Sequence, residues 1–218
     1  MIKRPEQIIE IIKKFDVNGS DVIYAGECMV ASMLGDDPIE WDIYTDCSQE
    51  KVAELFPDGE KIGKRTVRLD YSEFVESTHV NIPDHYEGVI ADIITLEGSI
   101  EEQLKVYDFT CEATGERSNG SVVDPFDGRN DIKQRLLKPV GDFKEKIKED
   151  PTIVWKALRY VGLYGFDLNR EIYDTIQANK ERAIIVDKEI ILEEFTVAMA
   201  GSNAGKFLKM VKGLGLLE

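Results

Sequence analysis

Tyr24-Ala25-Gly26-Glu27-Cys28-Met29-Val30-Ala31-Ser32-Met33-Leu34-Gly35, followed four residues on by Glu40-Trp41-Asp42, is the stretch that decides the fold. Residues 21–25 are apolar and β-branched enough to read as a buried strand. Gly26 then allows a tight turn, residues 27–34 carry a helical rhythm, and Gly35 ends it. The next strand holds Glu40 and Asp42. Residues two apart on a strand face the same side, so the two carboxylates project together. Paired carboxylates repel, and a divalent cation resolves the repulsion. Hard oxygen ligands favour Mg²⁺ held jointly with substrate phosphates. A glycine turn opening a helix beside such a pair adds close backbone approach and free N–H donors. An ordinary reading also exists, with Glu40 exposed at a strand start and Asp42 on a plain polar face.

Outward from this core, the first part of the chain alternates strand and helix. Residues 41–45, 66–69, 74–80 and 89–96 are further short β-branched or aromatic runs. Residues 48–56 read as a helix capped by Ser48 and closed by Pro57-Asp58-Gly59. The second part is nearly all helical pattern, with helices expected over 130–136, 142–148, a long one after Pro151, then 169–179, 187–200 and 204–213. A helix is expected at the N-terminus as well. Charge divides at the same place. From Leu137 onward 13 bases meet 13 acids, so the first 136 residues, with 14 bases and 29 acids, carry the whole net charge of −15. The expected organisation is α+β, a mixed sheet with flanking helices over residues 1–137, followed by an all-helical domain over 138–218.

Composition excludes several classes. With 43% hydrophobic and 32% charged residues the chain can bury a core. The acidic balance argues against a protein that grips a nucleic-acid backbone by bulk charge, and no DNA partner is expected. No apolar run approaches the length of a membrane span, and the N-terminus fits no signal or transit peptide. Cys28, Cys47 and Cys111 form no CxxC, and two histidines cannot anchor a zinc cluster. They read as small buried groups of a protein from a reducing cytoplasm. His79 and His85 read as surface residues, Trp155 as core packing, and Lys206, Lys209 and Lys212 as the solvated face of a helix.

The opening stretch resembles that of the bacterial CCA-adding enzyme and poly(A) polymerase family, which reads roughly VGGxVRDxLLG and then DxD. Thr45-Asp46-Cys47-Ser48-Gln49-Glu50-Lys51-Val52-Ala53-Glu54-Leu55-Phe56 is similar to its next helix, and Arg65-Thr66-Val67 to its GTV strand. Ser99-Ile100-Glu101-Glu102-Gln103-Leu104 with Asp108-Phe109-Thr110 resembles SLEEDLxRRDFT. Val123-Asp124-Pro125-Phe126-Asp127-Gly128 resembles the strand and turn that follow. Glu149-Asp150-Pro151, Arg159-Tyr160 and Gly165-Phe166 resemble EDPxRxxRxxRFxxxxGF, and the likeness extends over roughly residues 5–217.

The resemblance implies a nucleotidyltransferase head of the DNA polymerase β type and a helical neck. It implies template-independent transfer of a nucleotide from an NTP to RNA or another acceptor, with two Mg²⁺ (or Mn²⁺) ions at the DxD carboxylates. Carried over by position, Glu40 and Asp42 are metal ligands and catalytic groups. Glu76 is the additional strand carboxylate, Gly26 lies at the nucleotide, and Asp108 keeps a family position. Asp150 reads the base, and Arg159 is a later neck arginine. Several positions depart from the pattern. The paired glycines are Gly26-Glu27, the Arg-Asp after them is Val30-Ala31, and the first metal aspartate is Glu40. The RRD arginines are Val106-Tyr107, the following INA is Cys111-Glu112-Ala113, and two neck arginines are Ile153 and Lys156. Each lost phosphate-facing cation is worth about 10³-fold in phosphoryl transfer. Two functions therefore stay open, a divergent nucleotidyltransferase and a catalytically impaired relative serving as an acidic binding or regulatory module. The first leaves room for a protein partner that supplies grip on the acceptor. A weaker third is an acidic decoy for basic proteins.

Overall fold

The computed structural model describes residues 3–75 and 85–216. Its contacts divide the chain into two compact units, Met1–Leu104 with Thr114–Pro125, and Lys105–Ala113 with Phe126–Glu218. The change of charge and texture at residue 137 is not one of these breaks. Residues 105–113 pack with the helical unit, where Phe109 bridges Pro139, and residues 114–125 return to the sheet.

The first unit opens with α1 (Glu6–Val17), β1 (Val22–Ala25), α2 (Glu27–Leu34), β2 (Glu40–Thr45) and α3 (Gln49–Leu55). Then come β3 (Glu60–Lys61), β4 (Thr66–Asp70), β5 (Glu73–Val75), β6 (His85–Glu87), β7 (Ile90–Thr95), α4 (Ile100–Leu104), β8 (Gly115–Arg117) and β9 (Val122–Val123). Seven of the strands make one mixed sheet in the order β3-β4-β7-β2-β1-β8-β9, while β5 and β6 pair only with each other. β2 runs parallel to β7, and the other pairings are antiparallel.

Alternation explains how the sheet is used. Trp41 and Ile43 of β2, Ala91 and Ile93 of β7, and Val67 and Leu69 of β4 are buried in one cluster with Ile8, Ile11, Ile12 and Phe15 of α1. Burial of each such side chain contributes about 1.5–3 kcal/mol, so the inward set fixes the register of all three strands. The intervening residues of β2, Glu40 and Asp42, are thereby sent to the opposite face.

The second unit holds α5 (Gly128–Gln134), β10 (Leu136–Leu137), α6 (Phe143–Glu149), α7 (Ile153–Tyr164), β11 (Asp167–Leu168), α8 (Arg170–Ala178), α9 (Lys180–Ile184), α10 (Lys188–Ala200) and α11 (Ala204–Leu214). It is helical apart from the short parallel pair β10–β11, too brief to show a period in sequence. Its core stacks Phe109 against Phe143 and Tyr160, and Tyr160 against Phe166. Gly162 lets α7 and α10 meet backbone to backbone, since a Cβ there would lie 2.5 Å from the Ala198 carbonyl. Trp155 is buried as expected, its Nε1 donating to the Ala183 carbonyl at 2.9 Å. The three cysteines are buried and form no disulfide among the described residues.

Candidate functional site

The functional face of the first unit is built by strand pairing. β1 ends at Ala25, whose register partner on β2 is Asp42. Gly26 follows with φ 83° and ψ −153°, a backbone state that a side chain disfavours. It turns the chain straight into α2, so Asp42 lies beside the start of a helix whose first N–H groups need partners. Glu27, half-buried, occupies the first turn of that helix and complements its dipole. Val30 and Ala31 are buried, so at these two positions packing replaces charge.

Across the sheet, Asp42 pairs in register with Asp92 of β7, and Asp92 in turn with Arg68 of β4. Glu40 aligns with Ile90 and, beyond it, Asp70. One face therefore carries Glu40, Asp42, Asp92, Arg68 and Asp70. Arg68 grips Asp92 with both prongs, Nε to Oδ1 at 2.8 Å and Nη2 to Oδ2 at 2.7 Å. The bond to Asp92, together with the charges of Asp92, Glu40 and Asp70, outweighs partial burial and holds the guanidinium above its already high range. On the other side of Asp42's turn, burial pushes the Cys28 thiol upward, so it sits protonated and donates to the Ala25 carbonyl at 3.1 Å.

The donor chemistry suits a hard divalent ion, for Glu40 is exposed and Asp42 half-buried on the open side of the sheet. Mg²⁺ is commonly held by one or two carboxylates, with water and substrate phosphates completing the shell. Among the described residues no three acidic, histidine or cysteine side chains form a ready-made metal cluster. The fit is thus to an ion that Glu40 and Asp42 hold together with a substrate. A cavity of about 480 Å³ beside Ile39 and Val89 is lined by none of these carboxylates.

Asp92 is the residue that sequence reasoning missed. The additional carboxylate was expected at Glu76, which lies outside the described residues, as do His79 and the side chain of His85. The signal was present as a lone acid at the second inward-outward alternation of an apolar strand, Ile90-Ala91-Asp92-Ile93. Only the parallel pairing of β7 with β2 sets it next to Asp42.

In the second unit the expected residues have local partners. Asp108 takes Lys146 at 3.4 Å and Lys156 at 3.1 Å. Lys156 also meets Glu112 at 3.0 Å, and Glu112 accepts from the Tyr160 hydroxyl at 2.8 Å. Burial alone would lower the Lys156 ammonium, but Glu112 and Asp108 outweigh it and hold the group above its ordinary value. Asp150 is exposed, and its Oδ1 accepts from the Thr152 N–H at 2.9 Å and hydroxyl at 2.6 Å, shaping the entry to α7. Arg159 lies 2.7 Å from Glu194, tying α7 to α10. Ile153, at the position of a neck arginine, is buried. Lys206 is 2.6 Å from Asp167 and donates to the Gly165 carbonyl, so it has a packing role as well as a solvated one.

A model of the poly A polymerase head domain matches residues 23–138, more than half of the chain. The chain belongs to the poly A polymerase head-domain family. Among family relatives, the CCA-adding enzyme of Geobacillus thermodenitrificans is 27% identical over 215 residues, covering 97% of this chain and 53% of the relative. That of Lactobacillus delbrueckii subsp. bulgaricus is 28% identical over 217 residues, covering 97% and 54%. The Bacillus stearothermophilus CCA-adding enzyme in complex with CTP superposes with a TM-score of 0.79 at 25% identity, over 98% of this chain and 53% of that one. The Thermotoga maritima CCA-adding enzyme complexed with tRNA shares the fold, with a TM-score of 0.74 at 18% identity over 98% and 52%. The chain spans about half the length of the curated relatives it matches. The family's fold is therefore present, a mixed-sheet head followed by a helical region. Among the described residues no helix is long and apolar enough to cross a membrane.

Proposed function

We propose that this chain is a template-independent nucleotidyltransferase that moves a nucleotide from an NTP to the 3′ end of an RNA, with tRNA as the acceptor class. The observation that carries the reading is the Glu40–Asp42 pair, projecting from β2 beside the Gly26 turn in a head-domain fold. Support also comes from the CTP and tRNA complexes of its structural neighbours. Residues 1–137 act as the head and 138–218 as the neck, and the family match ending at residue 138 favours that functional division.

In this reading Glu40 and Asp42 hold a divalent ion together with the triphosphate. Mg²⁺ or Mn²⁺, when bound, neutralises charge building on the phosphates and the attacking oxygen. Gly26 leaves room for phosphate oxygens near the first N–H groups of α2. Asp150, at the start of α7, holds the position at which the resemblance implies reading of the incoming base, with the buried Ile153 in place of a cationic neighbour. Selection among nucleotides then relies on one charged group, so discrimination is expected to be looser than a paired reader gives.

The test incubates the full chain with each α-³²P-labelled NTP, Mg²⁺ or Mn²⁺, and a tRNA transcript lacking its terminal CCA. Labelled product with at least one NTP is expected. Absence of label with all four, in both metals, would leave the impaired acidic module as the surviving description.

A further inference from the structure

The carboxylate row carries a feature that a plain metal site would not need. Asp92 stands between Asp42 and Arg68 in register, and both its oxygens are engaged by one guanidinium. We infer that Arg68 is a resident cation of the head site, which keeps Asp92 from a second divalent ion and leaves the site a one-ion centre at Glu40 and Asp42. The inference rests on the nucleotidyltransferase reading and refines how its metal chemistry is regulated.

Three observations carry it. First, the bidentate geometry uses both carboxylate oxygens at 2.7 and 2.8 Å, so recruiting Asp92 to an ion requires breaking two charge-assisted hydrogen bonds. Second, an arginine fork is planar, permanently charged and matched to a carboxylate, so the occupant is not removed by any ordinary change of pH. Third, no three acidic side chains are gathered for metal binding among the described residues, although Glu40, Asp42 and Asp92 share one face. Asp92 has a fixed monovalent partner in Arg68, whereas Glu40 and Asp42 are the pair that an exchangeable divalent ion would occupy.

Arg68 is 38% exposed and Asp92 19%, so water can solvate the Asp92 carboxylate once the guanidinium is removed, and no buried charge is stranded. Arg68→Gln is therefore expected to fold.

Mn²⁺ titration followed by electron paramagnetic resonance of the free ion, read against an equal titration of CTP without protein, counts protein-bound ions without requiring turnover. The wild-type chain, with CTP present, is expected to bind one Mn²⁺. Arg68→Gln is expected to bind two, and Arg68→Gln combined with Asp92→Asn is expected to return to one. Arg68→Lys retains a charge but not the fork, so it is expected to show the second ion with roughly tenfold weaker affinity than Arg68→Gln. It also serves as the test protein should Arg68→Gln fail to give a native circular dichroism spectrum. Two ions on the wild-type chain, or one ion of equal affinity on wild type and both Arg68 variants, overturns the inference alone. No Mn²⁺ on any of the proteins overturns it together with the nucleotidyltransferase reading.

Discussion

Asp42→Asn is expected to lower nucleotide transfer by about 10³-fold, roughly 4 kcal/mol of transition-state stabilisation. The substitution is nearly isosteric, and Asp42 is half-buried on the open face of the sheet rather than in the α1 cluster, so the fold should persist. What is lost is one unit of negative charge and one anionic oxygen beside the Gly26 turn. Mg²⁺ binds a neutral amide oxygen far less well than a carboxylate, and Glu40 alone cannot make up the difference. Asp37→Asn is the matched control, because Asp37 is 84% exposed and pairs with the equally exposed Lys3. It should leave transfer within about threefold of wild type, as surface pairs of this kind contribute little. Single-turnover rates on the CCA-less tRNA give the comparison. An Asp42→Asn enzyme retaining more than about a tenth of the activity would remove Asp42 from the chemistry.

Lys156→Met is expected to destabilise the chain by about 3 kcal/mol. Lys156 is the only cation within 4 Å of Glu112 among the ion pairs described, and Glu112 is 2% exposed. Removing the ammonium strands a buried carboxylate that still accepts from Phe109 N–H and the Tyr160 hydroxyl. Those two bonds are not enough to offset the loss of its counter-charge. The double variant Lys156→Met with Glu112→Gln should recover at least half of the loss, because the stranded charge is gone. Urea unfolding of the two single variants and the double variant measures this coupling. A cost for Lys156→Met below about 1 kcal/mol would mean that water reaches Glu112 and the network is not a buried one.

The contrast between these two sites explains what could be read from sequence. The Gly26 turn, the helix from Glu27 to Leu34 and the Glu40/Asp42 alternation are local, each encoded within a few residues, and the structure forms them as expected. Ser48 and Asp142 cap their helices for the same reason, accepting from Lys51 N–H and from Lys144 and Glu145 N–H. Asp92 was not legible because its meaning depends on which strand lies next to it. Counting along the chain from Thr66-Val67 leads into the β5–β6 ribbon and to Glu76, while the parallel partner of Asp42 comes only after that ribbon. Arg68 is 24 residues from Asp92 and gives no sequence signal of the pair.

The lysine at position 156 illustrates a second limit. By resemblance it stands for a neck arginine, and its replacement reads as a weakened contact to substrate. In the structure its ammonium is committed to Asp108 and Glu112, and by the same resemblance Glu112 stands for a neutral family residue. The two changes form one ion pair between a half-buried lysine and a buried glutamate, which spacing along the chain could not reveal.

The most direct measurement is a crystal soaked with CTP or ATP and Mn²⁺, with data collected at the manganese edge. An anomalous peak at coordination distance from both Glu40 and Asp42, with triphosphate density adjoining Gly26, is the expected result. Saturating nucleotide and Mn²⁺ that leave this face without a peak, or that bind at a place remote from Glu40 and Asp42, would contradict it.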